Sequence, residues 1–253
     1  MERESDRQPV QLKLGPIDWT AKGQPLRLVF LSLAMLAPWF WVWLGLHILK
    51  DYRLTILMYE VLGCGLPILL IRNKPLPPLW PFRFKRRWIF SGAIGVNLII
   101  LGVFWQTNSF NMDWEWFYQR MQTTHLFINT EFWLLALCIV LLNPFFEEMF
   151  WRGIIYQELK DYTTPLKANL ISSFFFGAWH WVVLQAYCTP FWALWLTVAV
   201  MLGGILFAYT YEKSGTLASA VMLHATGADL PMVYVVYSCV TQAGQWMHQN
   251  PFM

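Results

Sequence analysis

The stretch Asn143-Pro-Phe-Phe-Glu147-Glu148-Met-Phe-Trp-Arg152-Gly153 decides how the chain is read. It follows an apolar run, Phe132 to Leu142, so two adjacent carboxylates and a guanidinium sit at the end of a segment suited to hydrocarbon. One charge near the centre of a membrane helix costs about 2.5–3.5 kcal/mol on insertion scales. Three such groups must pair, face a wet cavity or take part in chemistry. On a helix Glu148 and Arg152 lie four apart, acid first, and share a face. Glu147 is rotated by about 100° and lacks that partner. Asn143 stands four residues before Glu147 and shares its face. The plainer alternative is a charge pair that locks helices together. An ionisable group inside a membrane is by default a functional hypothesis.

The rest of the chain agrees with a bilayer setting. Of its 253 residues 57% are hydrophobic and 13% are charged, against about 25% charged in a soluble domain. Sixteen tryptophans suit the aromatic belts of a membrane interface. The expected fold is all-α, a polytopic bundle of seven transmembrane helices, or eight if a shorter one is added. The net charge of +3 is small, and no nucleic-acid partner is expected. Cys64, Cys138, Cys188 and Cys239 lie in or beside apolar runs and form no Cys-x-x-Cys pair, so they read as buried small hydrophobes. The charged start is unlike a signal peptide, and the first apolar run reads as an uncleaved anchor.

Working outward, the spans fall at about Leu28–Leu49, Leu54–Ile71, Trp88–Trp105, Phe132–Ile155, Leu166–Tyr187, Phe191–Tyr211 and Thr216–Val240. Residues 1–27 read as a polar cytosolic tail. The next organisational unit, 28–130, holds the N-terminal helices and an aromatic, charged segment around Met112–Tyr118 suited to lying along the interface. A core follows at 131–240, and 241–253 read as a tail. Pro144 should bend or break its helix. Ala199, Gly203, Gly204 and Ala208 have the spacing of a close helix contact. With the N-terminus inside, fourteen Lys and Arg fall on that side and three on the other, Arg152 being left to the site. The positive-inside rule therefore favours a cytosolic N-terminus. A bacterial-type inner membrane is the default location, and the oligomeric state is not legible.

Two further segments carry chemistry. Phe176-Gly-Ala-Trp-His180 puts a histidine four residues after a phenylalanine on one helix face, and His224-Ala-Thr-Gly-Ala-Asp229 holds a second histidine. Glu147, His180 and His224 can all lie within half a bilayer thickness of the midplane. A buried glutamate can take a proton from water, and histidines can orient that water or donate to an oxyanion. Alternatively, two His and one Glu form a zinc ligand set with an open fourth position. The residue types leave both routes open.

These three segments, in this order, resemble the CPBP (Abi) family of intramembrane proteases, which includes the type II CAAX prenyl endopeptidases. Its first motif, Glu-Glu-x-x-x-Arg, is matched by Glu147, Glu148 and Arg152, followed by Gly153. Its second, Phe-x-x-x-His, is matched by Phe176 and His180. Its third is His followed four residues later by Asn or Asp. His224 matches, but position 228 is Ala, and Asp229 is one residue late and points elsewhere on a regular helix. Asn143-Pro144, Ser172-Ser173 and Tyr211 to Leu217 fit the family context, and the likeness covers about residues 131–240. The resemblance implies a helical core with a cytosol-facing polar cavity. In it Glu147 and His180 activate water, and His224 with the residue at 228 forms the oxyanion hole. It also implies a membrane-anchored or lipidated peptide substrate, with the metal requirement unsettled. Since Ala228 donates nothing, Thr226, a backbone N–H near Gly227, or Asp229 on a distorted helix are the stand-ins at hand. The competing readings are a non-catalytic member acting as a binding or immunity protein, and a proton- or ion-coupled transporter. The latter predicts inverted repeats, and the sequence has none.

Overall fold

The structure, a computed structural model, describes residues 24–71, 86–106 and 113–250, without the side chains of 24 and 86–90. Every element among the described residues is helical, as a membrane bundle requires: backbone polar groups are satisfied within each segment. Helix α1 runs Gln24–Trp43 and continues as a π-helical segment, Leu44–Leu49. Lys50 then takes a left-handed φ of 55°, and Asp51 caps α2, accepting from the backbone N–H groups of Arg53 and Leu54 at 2.8 and 3.2 Å. Helix α2 is Tyr52–Ile71, with a π-helical middle at Tyr59–Gly65. Helix α3 is Arg86–Gln106 and α4 is Trp114–Thr124.

Helix α5, Thr130–Leu159, starts at the Asn129 cap, and its ladder is interrupted at Leu142. Pro144 lies in the first turn of the next segment, Asn143–Glu148, where its missing N–H is tolerated. A π-helical stretch, Met149–Tyr156, follows. Helix α6 is Pro165–Tyr187 and α7 is Pro190–Ser214, which stops at Gly215 with φ +68°. Helix α8 comprises Leu217–His224, a π-helical turn Ala225–Asp229, and Leu230–Gln249.

Polar contacts sort the helix ends onto two faces. On one, Arg27 at the start of α1 makes a buried ion pair with Glu158 and bonds Asp161 at 3.2 Å, while Tyr156 donates to Glu212 at 2.8 Å. On the other, Arg53 pairs with Glu131 at 2.8 Å, Arg120 donates to the Ala186 carbonyl at 3.3 Å, and Tyr187 donates to Thr124 at 2.9 Å. Helices α1, α2, α5, α6 and α7 therefore alternate between the faces. Many large apolar side chains, among them Leu69, Leu98, Ile99 and Leu134, point outward, as a lipid-facing surface does.

The sequence expectation of seven spans meets a narrower result. Among the described residues five helices are long and apolar enough to cross: α1, α2, α5, α7 and α8. The described apolar part of α3, Ser91–Gln106, is shorter. Helix α6 has 23 residues but is not among the five, being diluted by Lys167, Asn169, Ser172, Ser173, His180 and Gln185. It still joins the two faces and packs against α1 and α7.

Some boundaries move too. Helix α1 starts at Gln24, not Leu28, and α8 continues to Gln249, past Val240. The expected interfacial segment lies partly outside the described residues, at 107–112. Its remainder, α4, buries Phe117 and Met121 and packs along the second half of α8. The 72–85 loop and residues 1–23 also lie outside the described residues. The small-residue stripe of α7 is Ala193, Thr197, Gly204 and Ala208, all buried; Ala199 is exposed, so helix rotation puts it on the wrong side.

Candidate active site

Three of the four π-helical segments among the described residues each supply a residue to one buried polar cluster: Tyr59, Arg152 and Asp229. A π turn adds a residue per turn and so rotates everything after it, which is why such turns are frequent at functional sites. Here they belong to α2, α5 and α8.

The two glutamates of α5 are both buried, at 1% and 0% exposure, but differently held. Glu148 Oε1 accepts from Arg152 Nη1 at 2.8 Å and lies 2.8 Å from His224 Nδ1. Arg152 Nη2 donates to the Gly204 carbonyl at 2.9 Å. The guanidinium carbon lies 4.5 Å from the Phe176 ring centroid and 5.3 Å from that of Phe207. Cation–π attraction to these rings offsets some of the cost of burial. Gly204 is required for this fit: a Cβ there would come within 2.9 Å of the Phe176 ring and 3.1 Å of Ser173.

Glu147 points away from the Arg152 pair, as the helix geometry predicts, but it is not alone. Its Oε1 accepts from the hydroxyl of Tyr59 on α2. Its Oε2 is buried without a hydrogen-bond partner among the described residues and lies 3.5 Å from His224 Nε2. His224 is clamped: its Nδ1 faces Glu148, its ring stacks on Phe207 at 4.7 Å and 18°, and Phe176 meets it edge-on at 5.8 Å.

Asp229 differs from its sequence reading. On a regular helix it would point away from His224. The π turn Ala225–Asp229 rotates it back, so Asp229 Oδ1 lies 3.4 Å from His224 Nε2. Its Oδ2 accepts from Asn143 Nδ2 at 3.2 Å. Asn143 therefore serves Asp229 and not Glu147. Ala228 packs instead against the apolar core. Thr226, another expected stand-in, is turned away: its hydroxyl donates to the Met222 carbonyl at 2.6 Å, and its own carbonyl accepts from Asn97 of α3. Gly227 lets α3 approach, since a Cβ there would lie 3.2 Å from Ala93 Cα.

His180 lies beyond Phe176, 5.1 Å from it ring to ring, with Nδ1 2.8 Å from the Phe176 carbonyl. Trp179 covers its ring at 3.7 Å. Among the described residues it makes no hydrogen bond to Glu147. The structure thus brings Glu147, Glu148, Arg152, His224, Asp229 and Asn143 into one network, with His180 at its edge and Phe176 as the wall between the histidines. Among the described residues no three His, Cys, Asp or Glu side chains form a set that could hold a metal. Glu147, His180 and His224 are not grouped as such a set.

Sequence reasoning missed Tyr59, Glu60, Asn97 and Phe207. Glu60 did carry a signal, as the one charged residue in Leu54–Ile71. Its Oε2 is buried without a hydrogen bond, within electrostatic reach of Glu147, Asp229 and His224. Asn97 was a lone amide in an apolar run. Phe207 had no distinguishing mark.

A helical membrane bundle with buried carboxylates and histidine at its centre defines a class of intramembrane site. Residues 129–227 match the family model described as type II CAAX prenyl endopeptidase Rce1-like, the family that the motifs resemble. The matched segment runs from the start of α5 to Gly227, so both α2 and Asp229 lie outside it. No curated protein and no solved structure matches the chain at a significant level.

Proposed function

We propose that the protein is an intramembrane endopeptidase that hydrolyses a peptide bond in a membrane-anchored or lipidated, CAAX-like peptide near the cytosolic face. The observation that carries this reading is the inequality of the two glutamates. Glu148 is committed to Arg152 and His224 by hydrogen bonds, while Glu147 Oε2 makes no hydrogen bond among the described residues and lies 3.5 Å from His224 Nε2.

Glu147 Oε2 takes a proton from water as the water oxygen bonds to the scissile carbonyl carbon. His180, donating from Nδ1 to the Phe176 carbonyl, keeps Nε2 as the lone-pair acceptor that orders that water. His224 donates from Nδ1 to Glu148; with both ring nitrogens protonated, its Nε2–H is the donor to the tetrahedral oxyanion. Asp229, fixed by Asn143, keeps that nitrogen in place. Collapse breaks the carbon–nitrogen bond, and the proton on Glu147 passes to the leaving amine. Water, one peptide bond, one new carboxyl and one new amine balance the reaction.

The test compares peptide termini in membranes from cells carrying the native chain or Glu147→Gln at matched expression. A set of termini present only with the native chain is expected. Identical termini, together with a phenotype retained by the variant, would favour a non-catalytic binding protein.

A further inference from the structure

Helix α2 enters the site from outside the segment that the family model matches, and it brings Tyr59. We propose that Tyr59 is a positioning residue for Glu147: its hydroxyl holds Oε1 so that Oε2 is the oxygen presented to water. This inference rests on the peptidase reading above.

Three observations carry it. The first is the contact itself, a phenolic hydroxyl on one oxygen of a carboxylate whose other oxygen makes no hydrogen bond among the described residues and faces His224 Nε2 at 3.5 Å. A carboxylate has two equivalent oxygens, and a single fixed donor removes that equivalence. The second is rigidity. Tyr59 is 4% exposed and its ring lies 4.3 Å from Trp179, which in turn covers His180. With two side-chain torsions, a buried ring and Trp179 packed against it, the hydroxyl has little freedom, so the position of Glu147 is tied to that of the His180 helix. The third is placement. Tyr59 opens the π-helical segment Tyr59–Gly65, the feature of α2 that parallels the π turns of α5 and α8. Arg152 cannot do this work, because it is used by Glu148 and the Gly204 carbonyl.

The experiment uses the full chain purified in lipid nanodiscs with a prenylated peptide ending in a CAAX sequence. Tyr59→Phe keeps the ring and removes the donor. The expected result is a fall in kcat of roughly 10–100-fold with KM within about twofold, at an unchanged melting temperature. Infrared difference spectra supply a readout independent of turnover: the carboxyl band that vanishes in Glu147→Gln is expected to shift in Tyr59→Phe. If Tyr59→Phe fails to fold, Tyr59→3-fluorotyrosine keeps the packing and strengthens the donor, and the same band is expected to move in the opposite direction. An unshifted band, or a kcat within twofold of native, overturns the proposal. A fall in kcat that tracks a lowered melting temperature makes Tyr59 a packing residue and also overturns it. A native chain that releases no product overturns the peptidase reading and the catalytic part of this proposal, and a band shift then leaves Tyr59 as a structural partner of Glu147.

Discussion

Arg152 is held by one carboxylate, one backbone carbonyl and two aromatic faces, and this arrangement makes two adjacent glutamates chemically different. Removing one partner of a buried ion pair leaves an uncompensated charge, at a cost of about 3–5 kcal/mol. Arg152→Met is therefore expected to lower the melting temperature sharply or abolish folding, whereas Glu147→Gln is expected to leave stability nearly unchanged. Thermal unfolding in detergent or nanodiscs checks both. Arg152→Lys is expected to rescue only partly, because an ammonium lacks the planar fork that reaches Glu148 and the Gly204 carbonyl together. The Glu148–Arg152 pair was legible in the sequence because it is local, four residues on one helix. The partner of Glu147 was not, because Tyr59 arrives from 88 residues away and nothing in the local pattern aims it. His180 was placed near the site but not in hydrogen-bond contact with Glu147, since spacing fixes a helix face and not a rotamer.

The π-helical turns are the devices that periodicity could not supply. A 3.6-residue repeat puts position 228 on the face of His224, and position 228 is Ala. The turn Ala225–Asp229 shifts the register by one, and Asp229 takes the place that Ala228 leaves. Asp229→Ala is accordingly expected to lower kcat by roughly 10–100-fold through misplacement of His224. Adding Ala228→Asn to that variant is not expected to restore it, because residue 228 faces the apolar core; peptide-cleavage rates of the two variants decide this. Restoration by Ala228→Asn would mean that the helix is regular there. At the other end of the bundle, Asp51 caps α2 outside the spans. Its bond to the Arg53 side chain and the backbone donors lower its carboxyl to about 2, below the ordinary 3.8. A depressed acid stabilises the folded state above its unfolded value and ceases to do so as pH falls through the folded one. The cap is thus expected to contribute fully above about pH 4 and to be lost toward pH 2. Asp51→Ala should cost about 0.5–2 kcal/mol at neutral pH and flatten that acid dependence, read by unfolding as a function of pH.

At the scale of the whole molecule, the two sets of helix ends make the bundle a sided object. Residues 27, 158, 161 and 212 share one face, and 53, 131, 124 and 187 share the other. The cytosolic N-terminus that the Lys and Arg count along the sequence favours predicts that the face holding Arg27 is the cytosolic one. Single cysteines at Lys160 and Asn129, in a chain without its native cysteines, are expected to react with an impermeant maleimide from opposite sides of sealed vesicles; labelling from one side would break the arrangement. The all-helical bundle and the order of its helices were legible in apolar run length. The count of crossings was less so, because α6 carries polar side chains, Ser172 and Ser173 among them buried in the bundle, and falls short of the apolarity that lipid contact alone would demand. At the centre of this sided bundle lies a carboxylate oxygen, Glu147 Oε2, with no hydrogen bond among the described residues and His224 Nε2 at 3.5 Å. The most direct test is to incubate the purified chain in nanodiscs with a prenylated CAAX peptide in ¹⁸O water and to analyse the products by mass spectrometry. The expected result is a truncated peptide with one ¹⁸O in its new carboxyl terminus from the native chain and none from Glu147→Gln. An intact peptide with both, or equal cleavage by both, would contradict the assignment of Glu147 as the base.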